Sequence, residues 1–431
     1  MDTASFSLLA RVVETQLGRL RRLLAFLTPD QRGSTYIKFV SHHLDAIASL
    51  IQNVEAEYGA TTSDAERIII GRKLYRLKLF LDDIHGNVVE YKDDIGRRDL
   101  PVGLLHVIDA LIEDLLKASA DPIVHLGQQY MYSTIRVADQ WSNMSAELGL
   151  TWSETIEPII FNLPGLDPSN AFLSPILAHE VGHAVIQRHD LVADVDARLD
   201  VATIDALKSA YAATPSADVG DALAQFGRWV DELLCDALAT ELTGPGLLFA
   251  GAVFLPASSA GHSGPDHPDP AQRIALSLNQ LDRAGWLDHL NGRCPTVMQW
   301  LRQVASLSPD APTPREVFLR GLVDIASDAI LEVAQEYVVD GKLAWSEYCL
   351  KEQSIHELLT AGIPPAELDG DPISPWYVVA SMWLHAIDHH GDSAEGLADA
   401  VADTSMSQFA LKTVEMSRVL ELWKAEDASS A

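Results

Sequence analysis

Cysteine is scarce in this chain: there are 3 in 431 residues, Cys235, Cys294 and Cys349, an odd number and widely spaced. That excludes a disulfide framework and fits a reducing compartment. Basic residues are also few, with 31 Lys and Arg against 61 Asp and Glu, a formal net charge of −30. Nucleic acid and anionic membrane surfaces repel such a charge, so neither is expected as a general partner. Long apolar runs are missing too. The longest stretch free of charge runs from Leu242 to Pro265, and only Leu247 to Leu255 within it is densely apolar. It reads as a buried helix plus loop, without a membrane span. The first residues carry an acid at Asp2 and reach Arg11 after a short apolar stretch, unlike a signal peptide, so a cytoplasmic location is expected. Also missing are a glycine-rich phosphate loop, a Gly-x-Ser-x-Gly elbow, a Cys-His arrangement in motif context, internal repeats and low-complexity tracts.

What is present is enough for a folded protein. Hydrophobic residues make up 48% of the chain, and at roughly 150 residues per domain the length allows about two or three domains. Helical spacing dominates the first third. Phe6 to Leu27 repeats Leu9, Val13, Leu17, Leu20 and Leu24, and the spacing predicts further helices over Thr35 to Tyr58, Asp64 to Tyr91 and Pro101 to about Leu116. Thr62 or Ser63-Asp64 can cap the third of these. Around Thr155 the texture changes. Glu157 to Pro164 is a β-branched and aromatic run bracketed by prolines, which predicts one edge strand. A turn with Gly165, Asp167, Pro168, Ser169 and Asn170 follows, and Ser174-Pro175 suits the N-cap and first position of a helix. From Thr296 helices are expected over Pro314–Val338, Ser346–Leu359, Trp376–Ile387 and Ser393–Trp423.

The helix after the strand contains His179-Glu180-Val-Gly-His183. Histidines four apart project from one helical face and can share one metal ion. Glu180 is rotated about 100° from His179, beside that ion, where it can hold and deprotonate a water. The uncharged, mostly apolar flanks fit a buried helix. Zinc then needs a third protein ligand and an open position. His189 stands at metzincin spacing, but Ile186 occupies the place of the helix-breaking glycine. If the helix continues, His189 points away. Asp190, Asp194, Asp196 and Asp200 are a further option, or simply a solvated acidic loop. Glu232 is the stronger candidate. It lies in Arg228-Trp-Val-Asp-Glu-Leu-Leu-Cys-Asp236, where apolar Trp229, Val230, Leu233, Leu234, Ala237 and Leu238 predict a largely buried helix. Glu232 and Asp236 share one face, so one can bind metal while the other accepts a hydrogen bond from a ligand histidine. The alternative is an ordinary ion pair. A second pair, His385 and His389, has Ala386 where a catalytic Glu would stand, and reads as a helix end with histidines near its negative pole.

HExxH followed by ExxxD on a second helix resembles the gluzincins, the thermolysin-like metallopeptidases. The resemblance implies Zn2+ held by His179, His183 and Glu232, Glu180 as general base, and Asp236 orienting a ligand histidine. His267-Pro268-Asp-Pro-Ala-Gln-Arg273-Ile274 is similar to the HPxxxxRI segment of the CAAX-prenyl-protease and HtpX branch, in which the histidine contacts the oxyanion side. Here Asp269 can cap and Pro270 can start a helix, with Arg273 on its first turns within reach of a carboxylate. The likeness covers about 120 residues, from the strand to Ile274. It departs from the family in the long His183–Glu232 interval and in lacking that branch's transmembrane helices. The expected architecture is mainly α, with a zincin-like module over 151–295 carrying a small edge strand or sheet. Helical regions over 1–150 and 296–431 flank it. The expected activity is zinc-dependent hydrolysis of peptide bonds, on a peptide or protein substrate, with the terminal helical regions available to a protein partner. The alternatives are a non-catalytic zinc-binding interaction protein and a hydrolase of another amide or ester.

Overall fold

The computed structural model describes residues 3–27, 35–93, 100–117, 120–127, 133–136, 157–164, 170–215, 217–254, 264–307, 312–339 and 343–430. The architecture is mainly helical with two small sheets. Its contacts divide the chain into two compact units, 1–99 with 118–165, and 100–117 with 166–431. This differs from the three stretches read from the sequence. The strand belongs with the N-terminal helices, and helices on both sides of residue 295 share the second unit.

The first unit holds helices α1 (Thr3–Ala25), α2 (Thr35–Ala60) and α3 (Asp64–Asp93). In α1 the buried residues Phe6, Ala10, Val13, Leu17, Leu20 and Leu24 recur every three or four positions, one stripe on one face. They form a core with Val40, Ile47 and Ile51 of α2 and Leu74, Leu77, Ile84 and Val88 of α3. Ser63 caps α3, its hydroxyl accepting from the Glu66 N–H at 3.5 Å. The same unit contains strands β1 (Ala120–Gly127), β2 (Ser133–Arg136) and β3 (Glu157–Pro164). The strand expected over 157–164 is present, but it is not an edge. It lies between β1, to which it is parallel, and β2, to which it is antiparallel. Its prolines explain how: Pro158 and Pro164 sit next to and at the strand's two ends, so the donors of Ile159 to Leu163 serve both neighbours. The turn read over Gly165–Ser169 lies outside the described residues.

In the second unit, helix α4 (Val102–Leu111) runs into a π-helical turn, Ile112–Leu116, closed by Lys117 in the left-handed region at φ 49°. After a 3-10 turn at Ala171–Leu173 come α5 (Ser174–His189), α6 (Leu191–Asp196), α7 (Val201–Ala212), α8 (Val219–Thr243), α9 (Pro245–Phe254), α10 (Pro270–Arg283), α11 (Leu287–Arg293), α12 (Pro295–Ala305) and α13 (Pro314–Tyr337). Then follow α14 (Trp345–Thr360), the short pair β4 (Glu367–Leu368) and β5 (Asp371–Pro372), α15 (Pro375–His390), α16 (Ala394–Ala402) and α17 (Thr404–Ser430). Helix α8 is the hub: α5, α9, α10, α13 and α15 all pack on it. That requires an apolar circumference, which Trp229, Val230, Leu233, Leu234, Ala237 and Leu238 supply, all buried. No helix among the described residues is long and apolar enough to cross a membrane. The apolar run at 247–255 is the buried helix α9 in its described part.

Two boundaries differ from expectation for local reasons. Ser174 is already helical and donates its hydroxyl to the Ala171 carbonyl, while Asn170 caps the preceding 3-10 turn. The predicted helix over Ser393–Trp423 is two helices, because the Asp403 carboxylate accepts from the N–H groups of Ser405 and Met406 and so starts a new one. Close packing is tightest where α4 crosses α17. A Cβ added at Gly103 would overlap the Leu411 backbone carbonyl, which cannot rotate away. Gly103→Ala is therefore expected to cost about 1–3 kcal/mol or more, read as a lower urea midpoint, whereas Gly18→Ala on the open face of α1 should not lower it.

Candidate metal centre

Three elements build the site. Helix α5 supplies His179, Glu180 and His183, helix α8 supplies Asp231, Glu232, Cys235 and Asp236, the segment leading into α10 supplies His267, and the first turn of α10 supplies Arg273. The two long helices meet at Gly182, where an added Cβ would lie 3.1 Å from Cys235 Cα and Sγ. Glycine here avoids a contact tighter than most side chains make, and the closeness brings each histidine within reach of α8.

Each ring has two edges, and each edge faces a carboxylate. Asp236 Oδ1 is 2.8 Å from His179 Nδ1, and Asp231 Oδ1 is 3.1 Å from His183 Nδ1. The other nitrogens converge on one residue: His179 Nε2 is 3.4 Å from Glu232 Oε2, and His183 Nε2 is 3.4 Å from Glu232 Oε1. His267 Nδ1 approaches the same Oε2 at 3.1 Å. Yet Oε2 is buried and has no aligned hydrogen bond. Arg273, only 11% exposed, donates to both Asp236 oxygens at 2.7 Å and lies 3.8 Å from Glu232. Asp269 caps α10 through the Ala271 N–H and is held by Arg320 at 2.7 Å.

Electrostatics follow from this crowding. Four carboxylates, Glu180, Asp231, Glu232 and Asp236, stand against one buried guanidinium. Burial opposes ionisation of Asp236, but Arg273 and His179 outweigh it and bring its pKa down to about 2. Burial likewise opposes ionisation of Glu232, and the neighbouring histidines His179 and His267 prevail and lower its pKa strongly. For His179 burial favours the neutral ring, yet Asp236 and Glu232 raise its pKa to about 10. Burial raises the pKa of Glu180, which the charges of His179 and His183 only partly offset. Burial and then the surrounding carboxylates push the Cys235 thiol well up.

His179, His183 and Cys235 form a group able to hold a metal ion, with ligand atoms all within 4.8 Å of one another. Cys235 Sγ is 3.3 Å from His183 Nδ1, on the edge shared with Asp231. Asp231 and Cys235 are the site residues that sequence reading left without a role, Cys235 being read as packed core. Their signal was available: Asp231 and Cys235 share a helical face as Glu232 and Asp236 do, so each of the two histidines meets its own aspartate. His189 ends α5 and its ring centroid lies 5.2 Å from that of Tyr337, away from this cluster. The acids of 190–200 are no part of it: Asp200 caps α7 and Asp190 carries the left-handed turn after α5. His385 and His389 sit on the last turns of α15, where His385 faces the ring of His356. Comparison of the chain with protein-family models, with curated proteins and with solved structures finds no match.

Proposed function

We propose that the chain is a zinc-dependent peptidase of gluzincin type, with His179, His183 and Glu232 as metal ligands and Glu180 as general base. The observation that carries this reading is the convergence of two imidazole Nε2 atoms, 3.4 Å away, on the two oxygens of one buried carboxylate, with no aligned hydrogen bond to Oε2. Four carboxylates around one guanidinium leave negative charge that a divalent cation neutralises. Cys235 is the weaker third ligand on geometry, because its Sγ faces His183 Nδ1, on the opposite edge from the convergence.

A zinc ion bound there would make a coordinated water acidic and polarise a carbonyl. The chain's own residues supply the rest. Asp236 fixes the tautomer of His179 and Asp231 that of His183, presenting Nε2 from both. Arg273 holds Asp236 ionised and in place. Glu180 takes a proton from the attacking water and returns it to the leaving amine. His267 stands at the start of α10, where its imidazole can donate to the oxyanion of a tetrahedral intermediate. An intact Glu180 favours an enzyme over an inert zinc-binding scaffold, since a structural site needs no base.

The experiment is elemental mass spectrometry on purified wild type, Glu232→Ala, Cys235→Ser and His189→Ala. About one zinc per chain is expected, lost in Glu232→Ala and kept in the other two. Loss in Cys235→Ser with retention in Glu232→Ala would move the third ligand to the thiol and remove the gluzincin reading. Assay against a peptide library beside simple amides and esters then identifies the substrate class.

A further inference from the structure

The approach of His267 to the ligand carboxylate needs an explanation beyond an oxyanion contact. We infer that His267 is a fourth protein donor to the cation at His179, His183 and Glu232, closing the resting site until a substrate carbonyl displaces its imidazole. This rests on the metal reading above.

Three observations carry it. First, His267 Nδ1 is the group nearest to Glu232 Oε2, at 3.1 Å, closer than His179 Nε2 at 3.4 Å, although the His267 side chain is 65% exposed. An exposed imidazole gains nothing from burial by lying there. Second, Oε2 has no hydrogen bond of good geometry, although two imidazole nitrogens stand 3.1 and 3.4 Å from it. Third, the segment bearing His267 is secured from below. The Gly264 carbonyl accepts from Gln225 Nε2 at 3.1 Å and from Trp229 Nε1 at 3.3 Å, and the Pro265 carbonyl accepts from Arg228. The Gly264 N–H closes the turn on the His267 carbonyl at 3.0 Å. On the other side Asp269 is capped into α10 and held by Arg320. Both ends of the segment are thus fixed to the metal-bearing unit, and only the imidazole is free to swing.

The chemistry separates this donor from the others. His179 and His183 are each held by an aspartate, and Glu232 is buried, so none can leave without exposing a charge. His267, at 65% exposure, is the most solvent-facing of these donors and the one that can rotate into water. A site closed by four protein donors would be inert. One with a releasable fourth donor is protected from stray ligands yet opens to a carbonyl.

The test uses the full chain loaded with Co2+, with chelator competition for affinity and the visible spectrum for the ligand set. His267→Ala is expected to weaken Co2+ binding about tenfold to a hundredfold or more and to change the spectrum. Added imidazole should restore the wild-type spectrum in His267→Ala. A spectrum and affinity identical to wild type in both His267→Ala and His267→Asn would overturn the inference while leaving the three-ligand site intact. Failure of wild type to bind Co2+ at all would instead remove the metal reading itself.

Discussion

Replacing Glu180 with Gln will lower peptide cleavage by about a hundredfold to ten-thousandfold and leave the zinc content at the wild-type value. The two halves of this result test different things. Gln keeps the size and hydrogen-bonding capacity of Glu but cannot accept a proton at neutral pH. Glu180 lies among His179, His183 and Glu232 closely enough to feel their charges, and on α5 it is rotated about 100° from His179, beside the proposed ion and not on it. Its loss should therefore spare the ligands. Cleavage at the wild-type rate by the variant, with no contaminating peptidase, would exclude Glu180 as the base. Loss of zinc together with cleavage would place Glu180 among the ligands.

The second large effect concerns Arg273. Arg273→Met in metal-free protein is expected to cost about 3–5 kcal/mol, because it leaves the buried Asp236 with His179 as its remaining charged partner and Glu232 with one cation fewer. Asp236 has a folded pKa of about 2 against an ordinary 3.8. A depressed carboxylate adds stability that is present above its unfolded pKa and is lost as pH falls towards the folded one. Without the guanidinium that pKa climbs, so the deficit of the variant should be full at about pH 7 and narrow by about pH 4.5, where Asp236 can take up a proton. Urea unfolding at both pH values measures this. Asp236→Asn in the Arg273→Met background should recover part of the loss at neutral pH. A deficit that does not change with pH, and is not relieved by Asn, would show that packing of the arginine stem and not charge sets the effect.

How much of this was legible beforehand depends on the range of the forces involved. The His179–His183 and Glu232–Asp236 spacings are local and follow from helical geometry, so the faces could be read from the chain alone. Asp269 and Pro270 start a helix for equally local reasons, and the structure has them at its N-cap and first turn. Asp231 was missed because a carboxylate beside another on a helix looks like a solvated one. Only the crossing of α5 over α8, allowed by Gly182, shows that it meets His183. The centre position of β3 depends on partners β1 and β2, whose pairing with it is a matter of tertiary contact that no run of residues announces. The break at Asp403 was a local signal overlooked, since an Asp followed by Thr and Ser is a capping sequence inside an otherwise continuous apolar pattern.

The excursion between α5 and α8 separates the two motifs along the chain but not in space. Residues 190–215 leave α5 and return to α8 by way of α6 and α7, and they are moored to α13: Tyr211 stacks on Phe318 at 4.6 Å, and Arg198 pairs with Glu336 at 2.6 Å. In α7 only Tyr211 is buried. The site, by contrast, is set where α5 and α8 touch directly. Doubling the length of such a connection costs only about 0.6 kcal/mol in closure entropy. Insertions and deletions there would thus leave the register of His179 and His183 against Glu232 unchanged. The number of residues separating the two motifs is a free variable of the fold, and a search for distant relatives that fixes that interval will pass over chains with the same centre.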